Sequence, residues 1–474
     1  MRPFVVTILS LTGIASAASA QQSPPIDDPR IQAIVDAASA TRIEGDIRKL
    51  VSFGTRNTMS DTVSPTRGIG AARRWIKAEF DRISAACDGC LEVFYVSEVF
   101  PAGSGRLRDD APTNIVNVVA VQRGMTDPTR FVIMSGDIDS RISSGSNAVD
   151  SSPGANDNAS GMAGTIEAAR VLSKHRFQGS IAYLGLSGEE QGLYGGGTVA
   201  RYAREHGWNI EAVLNNDMIG NVAGVNGVID NTIARVFSDG TPPLDVDLPE
   251  GADPAAYAEA LRRVLRTLVL RRVAGSDVDG VSRQLARYID RIADRYVRNL
   301  DMLMIYRLDR FGRGGHHRPF ADAGWPAVRI METNENYTRQ HQDIRVEGGI
   351  PYGDVLAGVD FDYARKLTGL NAAVLASLAW APDTPKRVEL GGAVQASACL
   401  AWAPPADTSN LAGYRVYWRL TDAPQWEYSR WVGNVTRHSF DGLVVDNYFF
   451  GVAAVGRDGN ESPVAFPGGT MRCP

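Results

Sequence analysis

The chain has 474 residues, with 49 Lys and Arg against 54 Asp and Glu and a formal net charge of -5. That near balance excludes the strong basic character of a nucleic-acid binder and offers no pull toward an anionic membrane. Apolar residues make up 44% of the sequence, enough for a large core, and at about 150 residues per domain the length suggests two or three domains.

Residues 1–20 have the layout of a secretory signal peptide. Arg2 supplies the positive start, Val5 to Ile14 a short apolar stretch, and Ala18-Ser19-Ala20 a small-residue cleavage pattern, so the mature chain is expected to begin near Gln21. The destination is then secreted or periplasmic. The apolar stretch is too short to span a membrane, and no later segment reaches about 18 apolar residues.

Residues 27–130 read as helices followed by strands. Ala71 to Ile76 looks helical, and the β-branched run Asn114 to Val121, ended by Arg123-Gly124, reads as a strand. Phe131 to Met134 is fully apolar, as suits a strand covered on both faces. A Gly/Ser/Asn-rich loop follows, and then Met162, Ile166, Ala169 and Leu172 recur at helical spacing. Ile181 to Leu186, Ile210 to Leu214 and Ala327 to Ile330 are further buried-strand candidates. Strands alternating with helices predict an α/β unit over residues 21–381, with a mostly parallel mixed sheet sandwiched by helices.

Residues 222–310 have a different texture. Asp253-Pro254 is a helix start, and Leu261, Val264, Leu265 and Leu268, then Leu285, Ile289 and Ile292, keep helical period. This reads as a helical insertion. After Pro382 and Pro385, short strand candidates at Leu400 to Trp402, Tyr414 to Trp418 and Tyr448 to Val455 predict an all-β sandwich over residues 382–474. The run from Tyr448, with the early Trp402, resembles a fibronectin type III domain, a module that could dock a surface or another protein. Four cysteines form two natural pairs, Cys87 with Cys90 and Cys399 with Cys473, and both pairs suit disulfides in an exported protein. Cys87 and Cys90 do not sit in the strand-to-helix turn of a thioredoxin-like motif, and a single CxxC is poor evidence for zinc.

Chemistry concentrates in four short segments beside predicted strands: Ser135 to Ser140, Pro153 to Gly161, Leu186 to Leu193 and Asn215 to Met218. Alone, each is ordinary loop or turn composition. Together they gather carboxylates at one sheet edge, where charges repel unless a cation sits between them. A divalent ion is the simplest answer. Adjacent Glu189 and Glu190 point apart on an extended segment, so one can hold metal while the other takes a proton from water.

At these residues the chain resembles the co-catalytic dizinc aminopeptidase family, which includes bacterial leucyl aminopeptidases, glutamate carboxypeptidases and glutaminyl cyclases. Pro153 to Gly161 is similar to its bridging-aspartate loop and Ser187 to Leu193 to its catalytic loop. The resemblance implies a peptide substrate and two divalent ions, zinc in the first instance. It implies Asp157 as the bridge, Glu189 as general base, Glu190 as ligand of one ion and Asp217 of the other. Asp139 matches a residue that orients the first ligand. That first ligand is normally histidine, and here it is Asp137, which makes one site all-carboxylate and suited to a harder ion. The late histidine ligand is assigned to His341, with His317 as the alternative. His317 and Tyr337 are placed in the substrate pocket. The resulting reading is an exported metallo-aminopeptidase. Its alternatives are a single-metal glutaminyl cyclase-like enzyme, using Asp157, Glu190 and His341, and a lapsed peptidase that only binds.

Overall fold

The computed structural model describes residues 23–240, 251, 253–275 and 279–473. The expected signal segment therefore lies outside the described residues. Helices α1 (Pro29–Ala37), α2 (Ala40–Val51) and α3 (Gly68–Ala86) lead into strands β1 (Leu91–Phe100), β2 (Thr113–Gln122) and β3 (Asp127–Asp137). Asp28 and Ser39 start the first two helices by accepting from the backbone N–H of Arg30 and Arg42. Then come α4 (Ala159–Leu172), β4 (Gly179–Leu186), α5 (Glu189–Gly192), α6 (Tyr194–Glu205) and β5 (Asn209–Asn216). They are followed by β6 (Ile233–Ser238), α7 (Pro254–Ala274), α8 (Val281–Tyr296), β7 (Asp301–Ile305), α9 (His317–Asp322) and β8 (Ala327–Glu332). A small hairpin, β9 (Arg345–Glu347) with β10 (Ile350–Tyr352), precedes the long α10 (Phe361–Trp380).

These strands form one eight-stranded sheet in the order β1-β2-β4-β3-β5-β8-β6-β7. Strands β3, β4, β5 and β8 run parallel at its centre, while β1 and β2 pair antiparallel. Helices cover both faces, and the pleat divides the side chains between them. In β2, Val118 and Ala120 join a core with α4 and α10, while Val119 and Val121 join the opposite core with α6 and α9. The stretch 222–310 holds the helices α7 and α8, and it also supplies two strands of the sheet. β6 pairs antiparallel with β8 and parallel with β7, which stands at the sheet's edge. Both strands are short, and β7 alternates at an exposed edge, so neither stands out from the helical period around them.

The α4 helix sits very close to the sheet. A Cβ on Gly161 would lie 2.2 Å from the Asn216 carbonyl oxygen, and one on Gly136 would lie 2.5 Å from Gly161 backbone. Those two glycines let the N-terminus of α4 reach the ends of β3 and β5. Gly161→Ala is therefore expected to cost about 1–3 kcal/mol of stability, read as a lowered denaturant midpoint, because backbone rather than a flexible side chain must move.

Residues 381–385 connect α10 to a C-terminal pair of sheets. One contains β11 (Lys386–Gly391), β12 (Ser397–Ala403), β15 (Arg437–Asp441) and β17 (Gly469–Thr470). The other contains β13 (Leu411–Leu420), β14 (Tyr428–Gly433) and β16 (Tyr448–Gly456). Val388, Leu400 and Trp402 of the first pack against Tyr414, Val416 and Val452 of the second. Cys399 in β12 is disulfide-bonded to Cys473, and Cys87 to Cys90 where α3 turns into β1. The sandwich is anchored to the α/β unit through a buried charge cluster: Asp279 receives Arg287 from α8 and Arg419 from β13. Among the described residues no helix is long and apolar enough to cross a membrane.

Candidate active site

Because β3, β4 and β5 are parallel neighbours, the segments after them emerge at one edge. Asp137 ends β3, Glu189 and Glu190 open α5 after β4, and Asp217 follows β5. The loop before α4 brings Asp157 to the same edge. This loop is held by its backbone. The Asp354 carboxylate accepts the N–H groups of Asn156 at 2.9 Å and Asp157 at 2.7 Å. Arg56, wholly buried, donates to the carbonyls of Ile138 at 2.8 Å, Pro153 at 2.5 Å and Gly154 at 2.9 Å. One side chain thus ties the first acidic segment to the second.

Asp157, Glu190 and His341 converge. His341 Nε2 lies 3.0 Å from Asp157 Oδ2 and 3.0 Å from Glu190 Oε1, and one ligand atom from each of the three falls within 4.8 Å of the others. Ligand bonds to zinc are about 2.0–2.2 Å for nitrogen and oxygen, so three donors so spaced would be able to hold one zinc ion. The charge balance points the same way. Burial works against a charged ring at His341, but the Glu190 and Asp157 carboxylates overcome it and lift the imidazolium to about 9. Burial opposes ionisation of Asp157, yet His341 holds its carboxyl well below the usual carboxylate range. A proton on His341 stands where a metal ion would serve both carboxylates. A second acidic group, Asp290, Asp294 and Asp301 on α8 and β7, has no histidine and two exposed members.

The other expected donors, Asp137 and Asp217, are held by protein groups. Asp137 Oδ1 lies 2.5 Å from His316 Nδ1, and its Oδ2 accepts from Asn158 Nδ2 at 2.7 Å. Burial, reinforced by Asp139, pushes the Asp137 carboxyl far up, and burial pulls His316 down to about 4, so the ring is neutral. Asp217 Oδ2 pairs with Arg329 Nη2 at 2.6 Å, and Arg329 Nη1 reaches Asp309 at 3.0 Å. Arg329 is fully buried in the middle of β8. The second donor set, Asp137 with Asp157 and Asp217, is met only in part by protein groups: Arg329 answers Asp217 Oδ2, while Asp217 Oδ1 is buried without a partner among the described residues and burial lifts the carboxyl to about 8 against the pull of Arg329.

Glu189 lines the same cleft, which has a volume of about 1010 Å³ and also takes in Asp157, Glu190, Asp217 and His341. Burial, then the charges of Glu190, Asp217 and Asp137, push the Glu189 carboxyl well up, with Arg329 pulling against them. Asp139 stands close enough to Asp137 to raise its carboxyl, and its own hydrogen bonds go to the catalytic loop. Its carboxylate accepts the backbone N–H groups of Glu189 at 3.3 Å and Glu190 at 3.1 Å, and the Thr58 hydroxyl at 3.0 Å, so it fixes the start of α5. His317 is wholly buried with Nε2 2.7 Å from the Leu308 carbonyl oxygen, and it does not line the cleft. Tyr337 is 56% exposed and also stands outside the cleft. Of the pair His316-His317, it is His316 that touches an acidic site residue, Asp137. His316 and Arg329 lie 179 and 112 residues from their partners, and neither belongs to an acidic segment, so no local pattern marks them.

Residues 117–235 match the model of peptidase family M28. A probable zinc metalloprotease of Leptosphaeria maculans is 40% identical over 445 residues, spanning 94% of this chain and 98% of that protein. One from Pyrenophora tritici-repentis is 38% identical over 98% of this chain and 93% of its own length. The LapA aminopeptidase of Legionella pneumophila superposes with a TM-score of 0.51 at 18% identity, covering 80% of this chain and 77% of that one, which shows a shared fold.

Proposed function

From the premise that the chain belongs to peptidase family M28, a family of zinc metallopeptidases, we propose that it is an exported aminopeptidase. It uses one zinc ion, held by Asp157, Glu190 and His341. The observation that carries this reading is the convergence of those three donors beside Glu189 in a single cleft. When bound there, zinc supplies Lewis acidity toward water and the scissile carbonyl. Glu189 accepts the proton of the attacking water and passes it to the departing amine. Asp139 keeps Glu189 and Glu190 aimed into the cleft by holding their backbone N–H groups. The earlier expectation of two ions gives way to one, because Arg329 already supplies positive charge at Asp217. The two disulfides and the signal-like residues 1–20 support export.

The test is hydrolysis of free-amino and N-acetylated peptides by the zinc-loaded chain. Cleavage of the free-amino peptide alone supports the reading. Equal cleavage of both removes the aminopeptidase part, and ammonia release from a glutaminyl peptide without hydrolysis would favour the cyclase alternative.

Zinc affinity should depend on pH through His341. The ring must lose its proton to ligate, so the apparent affinity is expected to climb about tenfold per pH unit up to about 9 and then level off. The metal-free chain is expected to follow the opposite trend. His341 is raised above its usual value of 6.5, so its contribution to stability is complete below pH 6.5 and lost as pH rises through about 9. Competition titrations and thermal melts in chelator, from pH 6 to 10, check both halves; a flat affinity profile would remove His341 from the ligand set. His341→Ala should lose zinc at micromolar concentrations.

A further inference from the structure

A second pocket, of about 690 Å³, opens between α3, the loop 58–62 and the start of β2, and shares no lining residue with the catalytic cleft. Its deepest charged group is Arg73, in the middle of α3 and only 5% exposed. Arg73 Nε and Nη2 are buried with no hydrogen-bond partner among the described residues. The same holds for Arg108 Nε and Thr113 Oγ1, which line the same pocket. Arg74, on the wall, donates only to the backbone carbonyls of Thr62, Val63 and Ser64. The single carboxylate in the lining, Asp61, has Oδ1 occupied by the N–H groups of Val63 and Ser64.

The Asp139 carboxylate acts on Arg73 through space but accepts none of its hydrogen bonds, and natural structures rarely leave buried guanidinium donors unmet. Burial pulls the Arg73 guanidinium down to about 10, which leaves it charged at neutral pH. Two adjacent N–H donors of one guanidinium match two oxygens of a single oxyanion, and Thr113 offers a hydroxyl donor in the same lining. We propose that this pocket is a binding site for a small molecule bearing a carboxylate or phosphate group, with the oxyanion seated on Arg73. The volume leaves room for more than the bare ion. The pocket is also linked to catalysis. Thr58 lines it and donates to Asp139, which in turn holds the N–H groups of Glu189 and Glu190, so the pocket wall at Thr58 lies two hydrogen bonds from the catalytic loop. None of this depends on the metal reading.

The test titrates inorganic phosphate, sulfate, acetate and citrate into the full chain at constant ionic strength, with chloride as reference. Calorimetry and thermal melts give the readout, and phosphate against acetate separates the two sources of oxyanion. His341→Ala, which removes the metal centre as an anion sink, should keep the response. Arg73→Met should abolish it and melt higher than the parent in chloride alone, because it deletes a buried charge whose N–H donors are unmet. If Arg73→Met does not fold, Arg108→Ala, at a second unmet donor, should weaken binding at least tenfold. An anion response unchanged in Arg73→Met or in Arg108→Ala overturns the proposal. So does a parent chain that responds to none of the four anions beyond chloride.

Discussion

Glu189→Gln is expected to lower kcat/KM roughly a thousandfold or more while leaving zinc content and melting temperature near those of the parent. The substitution keeps the shape of the side chain and deletes only its ability to take a proton. Zinc content is insensitive because the three converging donors are Asp157, Glu190 and His341, and Glu189 is not one of them. Stability should not fall either. Glu189 stands among the charges of Glu190, Asp217 and Asp137, and burial already pushes its carboxyl up, so a neutral amide relieves repulsion. The same crowding suits a base: its proton affinity is raised by burial and drawn back by the Arg329 charge and any bound cation. Steady-state kinetics beside metal analysis and calorimetry decide the matter. A variant that keeps the parent rate ends the general-base assignment, and one that loses zinc moves Glu189 into the ligand set.

Arg329→Met carries the largest expected loss of stability, about 3–5 kcal/mol, because it strands two buried carboxylates, Asp217 and Asp309. Arg329 has no exposure to solvent, so no rearranged water shell can stand in for it. The variant also tests the ion count. The parent, dialysed against a small excess of zinc, is expected to hold one ion per chain. In Arg329→Met, Asp217 is free of its guanidinium, and millimolar zinc should restore part of the lost stability. In the parent, zinc beyond one equivalent should add nothing. Two tightly held ions per parent chain would show that the guanidinium does not take an ion's place. A variant as stable as the parent in chelator would show that the buried pair carries no weight. The parent stoichiometry stands as a test even if the variant cannot be purified.

Much of the architecture was legible along the chain because its signals are local. The apolar runs at Phe131 to Met134 and Ile181 to Leu186 are the centre of the sheet, and period-two sorting in β2 follows from the pleat. What escaped was the role of residues 222–310 in the sheet. β6 and β7 are six and five residues long, beside helices with a stronger periodic signal. The glycines at 136 and 161 read as loop and turn composition, yet their reason is contact: backbone passes where a Cβ would stand.

The candidate site divides along the same line. The sequence by itself determined that Asp137, Asp157, Glu189, Glu190 and Asp217 belong at one sheet edge, since each follows a parallel strand or precedes a helix packed on one. It could not say which of those carboxylates would be answered by a metal ion and which by the protein. The protein's own share of that answer comes from Arg329 of β8 and His316 from the turn before α9, which reach Asp217 and Asp137 across more than a hundred residues of sequence. The tertiary structure also sets Asp139 against the backbone N–H groups of the catalytic loop, and buries His317 against the Leu308 carbonyl outside the lining of the cleft. Metal-binding segments announce themselves because their spacing is short and strand-linked. Charge compensation does not, because a buried carboxylate accepts any cation that the fold brings within about 3 Å, from anywhere in the chain.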